Sequence, residues 1–447
     1  MRREQPNYGR TFPMYVPGLD WYFLSDDHPE YPMVFYLDLD FSGQLDQQRM
    51  SEALEEALYR HPLLFCVVQK AKQNRLCWVP APDKMPKINW ADESVPVDFE
   101  SGDYIDIRNQ TGLRIWVRQS DSGAKMTLQF HHAACDGTGA YRFVGDLLGC
   151  YMKRLDSCAD KVALGDFDAA LLKARSAKMR TIRATDSVLK KFRIAWSEAV
   201  HHLIPPITRL KPPASKPKSM ILPGMVKQEY SADALSNLRA AATTQGGTLN
   251  DLFLCKMFKT VRAWNQGSGR NYRILVPSDM RDGQDFEIPA CNMTACTFIT
   301  RKGSEIDNDA LLLDLIRQDT LKIKSGAPQK SFVNAITSAM EGSMMPLVMN
   351  RHNCLATSVL SNAGDPARRF TCKLPKKRGK VSCDEFTLES ISGVPPLHRH
   401  TRSTLSVSIY GRRLTVSLRC DPHLFSLEES RRLLDLFGQQ LEPDMQD

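Results

Sequence analysis

The sequence has no run of about 18 apolar residues, the length a bilayer-spanning helix needs, and no apolar core behind its basic start, so neither a membrane span nor a secretory leader is expected. Its twelve cysteines include no CxxC pair, and most stand alone (Cys66, Cys77, Cys150, Cys255, Cys420), in a chain too long to need a small disulfide scaffold. They read as reduced thiols of a cytoplasmic protein. With 25 Gly and 26 Pro in 447 residues, collagen and low-complexity disorder are excluded as well. What remains is an ordinary globular composition, 42% hydrophobic and 25% charged, long enough for two or three folding units that each bury a core.

Acidic residues are scarce in one stretch. Residues 173–220 hold twelve Lys or Arg against Asp186 and Glu198, so the net charge of +8 is concentrated there and the rest of the chain is close to neutral. Within it Leu189, Phe192, Trp196, Val200 and Leu203 recur at helical spacing, with Lys190, Lys191 and Arg193 off that stripe. The pattern fits a helix that packs its stripe and solvates its charges. It also fits a dock for an acidic carrier protein, a phosphate-bearing cofactor or, peripherally, an anionic membrane. No DNA- or RNA-binding motif accompanies the charge, so nucleic acid is not an expected partner.

Period-2 alternation of Phe35, Leu37, Leu39 and Phe41 predicts a strand, and Met50, Ala53, Leu54, Ala57 and Leu58 predict a helix ended by His61-Pro62. Leu113 to Val117 and Met126 to His131 predict a hairpin, followed by a helix through Tyr141, Val144, Leu147, Leu148 and Tyr151. Pro205, Pro206, Pro212, Pro213 and Pro217 cannot continue a helix and predict a linker. Beyond it come a strand at Val226 to Tyr230, helices capped by Ser231 and Thr248, strands at 272–276, 294–300, 404–409 and 414–418, and a last helix from about Ser426 to Gln439. The expected fold is mixed α/β: a first lobe over 1–172, a basic helix and linker over 173–220, and a second lobe over 221–447.

One string carries chemistry: His131-His132-Ala133-Ala134-Cys135-Asp136-Gly137, expected by chance about once in a thousand such sequences, since the chain has only 10 His. If the strand runs to its end, His132 shares parity with Met126, Leu128 and Phe130, and His131 with Thr127 and Gln129. A buried His132 would be held neutral, the state in which imidazole accepts a proton. Asp136, leading into the Gly137 turn, suits a charge-assisted anchor. Two adjacent strand histidines project to opposite faces and cannot share one cation, so no metal is expected. His201-His202 lacks the following Asp-Gly and reads as surface.

HHAACDG, between a strand and a helix, resembles the active-site motif of the chloramphenicol-acetyltransferase-like superfamily, which includes condensation domains, alcohol acyltransferases and BAHD acyltransferases. VFYLDLDFSGQLDQQRMSEALEEALYRHPLL, GTLNDLFLCKMFKTV, RILVPSDMR and SLRCDPHLFSLEESRRLLDLF are similar to other segments of condensation-like proteins, so the resemblance covers nearly the whole chain. It implies two lobes, each a mixed, mostly antiparallel sheet with flanking helices, and an active-site tunnel between them. It implies that His132 is the catalytic base, with His131 supporting it. It further implies that Asp136 is structural and pairs with Arg281 of PSDMR, and that Gly137 leaves room for a donor thioester. Asn292, Ser361 and Asn362 are candidate tunnel or oxyanion groups, and equally ordinary turn or strand polarity. Lys190, Lys191 and Arg193 are candidate donor-docking residues.

No DFGWG occurs, unlike plant BAHD enzymes, and PGLDWYFL departs from the opening motif of peptide-synthetase condensation domains. No carrier-protein serine motif or adenylation core is present, so the donor would arrive in trans. The expectation is a free-standing, monomeric acyltransferase moving an acyl group from a coenzyme A or carrier-protein thioester to an alcohol, with no permanently bound cofactor. An amide-forming enzyme and a non-catalytic acyl- or carrier-binding protein are the alternatives.

Overall fold

The structure is a computed structural model describing residues 11–71, 75–99, 102–179, 187, 189, 193, 206–214, 221–342 and 354–445. From the first residues described, a short strand β1 (Met14–Tyr15) leads into helix α1 (Gly18–Asp26), then strand β2 (Val34–Gly43). Helix α2 (Gln47–Arg60) starts at Asp46, whose side chain accepts from the Arg49 amide, and buries Met50, Ala53, Leu54, Ala57 and Leu58. Its end at His61 is the one that Pro62 imposes. Strands β3 (Cys66–Lys70), β4 (Leu76–Pro80), β5 (Ile88–Asp92), β6 (Leu113–Gln119) and β7 (Gly123–His131) follow, then helices α3 (Gly137–Met152) and α4 (Leu171–Met179).

Past the stretch of prolines the chain forms β8 (Met225–Tyr230) and α5 (Ala232–Thr244), which Ser231 caps. Helix α6 (Leu249–Trp264) opens on a capping box between Thr248 and Asp251. Strands β9 (Asn271–Asp279) and β10 (Thr294–Lys302) and helices α7 (Gly303–Ile306), α8 (Asp309–Lys324) and α9 (Ala327–Glu341) come next. The chain continues with β11 (Ser358–Gly364), the small pair β12 (Lys376–Lys377) and β13 (Lys380–Val381), then β14 (Phe386–Val394), β15 (Ser403–Tyr410), β16 (Arg413–Cys420) and α10 (Leu427–Leu441).

These elements form two compact units. In the first, a five-stranded sheet runs β14-β2-β7-β6-β5, antiparallel at β2-β7-β6 and parallel at β5-β6, beside a three-stranded sheet β1-β4-β3. Leu37, Leu39, Met126, Leu128 and Phe130 of this sheet are buried, and α2 packs on α3. In the second unit a six-stranded mixed sheet runs β10-β9-β11-β15-β16-β8, with β11 parallel to both neighbours. Its core joins Leu252, Phe253, Met257, Phe258, Leu405, Leu418, Leu433 and Phe437.

The units do not follow the contiguous division into 1–172 and 221–447. Arg281–Met293 and Asp365–Gly393, from the later half of the chain, belong to the first unit. The physical reason for the second insertion is strand pairing: β14 completes the sheet next to β2. In the basic stretch, Lys190 and Lys191 lie outside the described residues. Leu189 is helical but 80% exposed, which overturns its expected place in a packed stripe, and Arg193 is helical and exposed. None of the twelve cysteines forms a disulfide. Among the described residues no helix is long and apolar enough to cross a membrane.

Candidate active site

The first unit brings the HHxxxDG string to the end of β7. That strand ends at His131, one residue earlier than the parity argument assumed, and His132 begins the turn into α3. The turn is held by backbone bonds: the His132 amide donates to Met33 O at 2.7 Å, and the Ala134 amide to His131 O at 3.0 Å.

The two histidines have different surroundings. His131 is fully buried; its Nδ1 accepts from the Ala133 amide at 3.2 Å, and its Nε2 stands 3.3 Å from Asp27 Oδ2. Asp27 is itself fixed, since its Oδ1 accepts from the Met33 amide at 2.9 Å. The His132 ring lies flat against Phe23, with centroids 4.0 Å apart and planes inclined by 16°, and meets Phe35 edge-on at 5.3 Å. His132 keeps 9% of its surface exposed where its neighbour keeps none. Of the two histidines in the string, His132 is therefore the one not sealed completely.

Asp136 caps α3. Its Oδ1 accepts from the Gly139 amide at 2.8 Å; its Oδ2 accepts from the Met293 amide at 2.7 Å and from Arg281 Nη1 at 2.8 Å. Burial alone would raise this carboxyl, but the Arg281 guanidinium and the amides outweigh it and hold it below the usual carboxylate range. Arg281 Nη2 also donates to Cys291 O at 2.8 Å, so one guanidinium ties the α3 cap to the segment Arg281–Met293. A second tie is His61, whose Nδ1 accepts from the Ala290 amide at 2.8 Å; burial lowers its pKa.

Glycines on either side of Thr138 do different jobs. A Cβ on Gly139 would stand 2.8 Å from Cys291 O and 2.9 Å from Cys135 Sγ, so packing requires that glycine. A Cβ on Gly137 would meet no protein atom within 4 Å, and its φ is not in the left-handed region. Space beside the first residue of α3 is thus left open by the protein itself, at a helix N-terminus whose first amides have no intrahelical acceptors.

Of the remaining candidates, Asn292 is fully buried in the Arg281–Met293 segment. Ser361 and Asn362 belong to the second unit. Asn362 is exposed, donates to Asn250 Oδ1 at 3.1 Å and accepts from the Gly364 amide, the contacts of an ordinary turn residue. Among the described residues no group of three or more His, Cys, Asp or Glu could hold a metal ion.

Sequence reasoning missed Phe23, Asp27 and a buried cluster one turn before Phe23. There Asp20 accepts from Trp78 Nε1 at 2.9 Å and from Arg175 Nη2, and all three side chains are buried. The signal was present in PGLDWYFL, but that run has no one-sided stripe: Leu19, Asp20, Tyr22 and Phe23 are all buried.

The chain matches no family model. It is 24% identical over 260 residues to an uncharacterised protein found in two strains of Mycobacterium tuberculosis, a match that spans 56% of this chain and 57% of the relative's length. Solved structures share its fold across nearly the full chain. Trichothecene 15-O-acetyltransferase from Fusarium sporotrichioides superposes with a TM-score of 0.70 at 12% identity, over 96% of this chain and 94% of that one. The starter condensation domain of rhizomide synthetase, in complex with C8-CoA and Leu-SNAC, gives 0.64 at 11% identity, over 99% and 96%. Polyketide synthase associated protein 5 from Mycobacterium tuberculosis gives 0.61 at 15%, over 97% and 99%.

Proposed function

We propose that the protein is an acyltransferase that moves an acyl group from a coenzyme A or carrier-protein thioester to an alcohol, with His132 as general base. The observation that carries this reading is the position of the His132 ring. It stands just past a strand end, buried to all but 9% of its surface, ahead of a helix N-terminus anchored by Asp136 and Arg281 and opened by Gly137. The fold shared with an O-acetyltransferase and with a condensation domain bound to C8-CoA supports the same reaction class.

The imidazole of His132 takes the proton of the acceptor hydroxyl as its oxygen attacks the thioester carbonyl. The C–O bond forms, negative charge develops on the carbonyl oxygen, and a backbone amide of the Gly137 region would donate to it. Collapse breaks the C–S bond, and the thiolate recovers the proton from the imidazolium as free thiol. No covalent acyl-enzyme is needed. An exposed Arg193, with Lys190 and Lys191, would attract the phosphates of coenzyme A or an acidic carrier. Charge reversal at the three is expected to raise KM for the donor.

The test is thiol release from acyl-CoA with a panel of alcohols and amines, for wild type and His132→Ala. Ester formation lost by about 10²- to 10⁴-fold in the variant supports the reading. Turnover with amines alone replaces it by the amide-forming alternative. Tight binding of an acylated carrier without any turnover in wild type replaces it by a binding protein.

A further inference from the structure

Helix α1 touches both histidines of the HHxxxDG string, through residues to which nothing above assigns a role. Phe23 lies against the face of His132 at 4.0 Å, closer than the 4.5–7 Å usual for aromatic pairs, and Asp27, the C-cap of the same helix, faces His131 Nε2 at 3.3 Å. The second side-chain torsion of a histidine is broad and only weakly self-determined, so the plane of the ring is set by what presses on it. Phe23 is the flat contact and Phe35 the edge.

The position of Phe23 is in turn fixed from one turn earlier. Nine residues are too few for a helix to stand by itself, and α1 has no side-chain N-cap. Instead it is pinned through Asp20 to Trp78 on β4 and Arg175 on α4, with Asp20 and Trp78 0% exposed and Arg175 2%. A buried ion pair stabilises a fold no better than well-packed apolar side chains of the same volume. What the pair does define is where α1 sits against β4 and α4.

We propose that α1 is the positioning element of the base: Phe23 sets the plane of the His132 ring, and the Asp20–Arg175–Trp78 cluster sets where Phe23 stands. Phe23 and Asp20 are positioning residues, and the proposal rests on His132 acting as the base.

The test compares Phe23→Leu, which keeps bulk but loses the flat face, with Phe23→Tyr, which keeps it, and with Asp20→Asn. Phe23→Leu is expected to lower kcat by about 10- to 100-fold, as for other small misplacements, with KM for acyl-CoA within about twofold. Phe23→Tyr is expected to stay near wild type. Independently of turnover, the Hε1 resonance of His132, assigned by its loss in His132→Gln, should lie upfield from the ring current of Phe23. It should keep that shift in Phe23→Tyr, lose it in Phe23→Leu and move partway in Asp20→Asn. If His132→Gln still transfers acyl groups, the base assignment fails, while the resonance still decides whether the stack exists. If His132→Gln is inactive but Phe23→Leu turns over at the wild-type kcat, the positioning role is overturned. An unmoved resonance in Asp20→Asn removes the anchor from the proposal.

Discussion

Arg281 Nη1 donates to Asp136 Oδ2 at 2.8 Å across 145 positions of sequence, with both side chains almost fully buried. The pair joins the start of α3 to the segment Arg281–Met293, and the carboxylate has two further donors in the Gly139 and Met293 amides.

Arg281→Met leaves that carboxylate buried without its countercharge. A loss of about 3–5 kcal/mol is expected at pH 7. The loss should shrink at pH 4 or below, because Asp136, no longer held down by the guanidinium, then protonates. Urea midpoints at the two pH values decide it. An equal loss at both would show that the pair is not what holds Asp136 ionised.

Asp20 and Asp136 are buried aspartates whose titrations pull stability in opposite directions. Burial raises Asp20 to about 6, so its contribution is complete below about pH 4 and is lost as pH rises through 6, a span of about 3 kcal/mol. Asp136 is lowered, so its contribution is present above about pH 4 and is lost on further acidification. Asp20→Asn is therefore expected to remove a downward slope of unfolding free energy between about pH 4 and 6. The slope, rather than the absolute level, is the readout, since the variant also alters the bond to Trp78.

His61 supplies a third window. Its lowered pKa means that its stabilisation is present above about pH 6.5 and is lost as pH falls, when protonation would take Nδ1 from the Ala290 amide. His61→Asn should flatten the slope of stability against pH just below neutrality. A slope unchanged from wild type would mean that the ring titrates as it does in the unfolded chain.

Gly137→Ala and Gly139→Ala separate packing from ligand space. The Gly139 change forces a methyl against Cys291 and Cys135 and is expected to cost about 1–3 kcal/mol. The Gly137 change meets no protein atom and replaces glycine in a helix, so thermal unfolding should be unchanged or slightly raised. Its transferase activity should fall nonetheless, because the methyl would stand where the proposal puts the donor. Full activity in Gly137→Ala would take the donor away from α3.

Much of the fold was legible because polar and apolar side chains alternate at the period of the backbone, even in β2 and β7, where the structure buries both faces. Strand β2, the β6-β7 hairpin and helix α2 follow the periods of Phe35–Phe41, Met126–His131 and Met50–Leu58, and the caps at Ser231, Thr248 and Ser426 stand at predicted helix starts. Helix α1 was missed because a helix buried on most sides has no stripe to read. The Asp136–Arg281 contact came from family resemblance alone; no local pattern announces a partner 145 residues away. Leu189 shows the opposite failure, an apolar residue at helical spacing that the structure leaves 80% exposed.

The return of later segments into the first unit has a consequence for biosynthesis. As the chain leaves the ribosome, the first 179 residues emerge with the HHxxxDG turn, yet the guanidinium that neutralises Asp136 follows about a hundred residues later, and β14, the strand beside β2, later still. Until then β2 offers an uncovered edge, the kind of surface on which nascent chains aggregate. A protein cut after Met179 is not an isolated domain, and expression trials should keep the chain through Gly393.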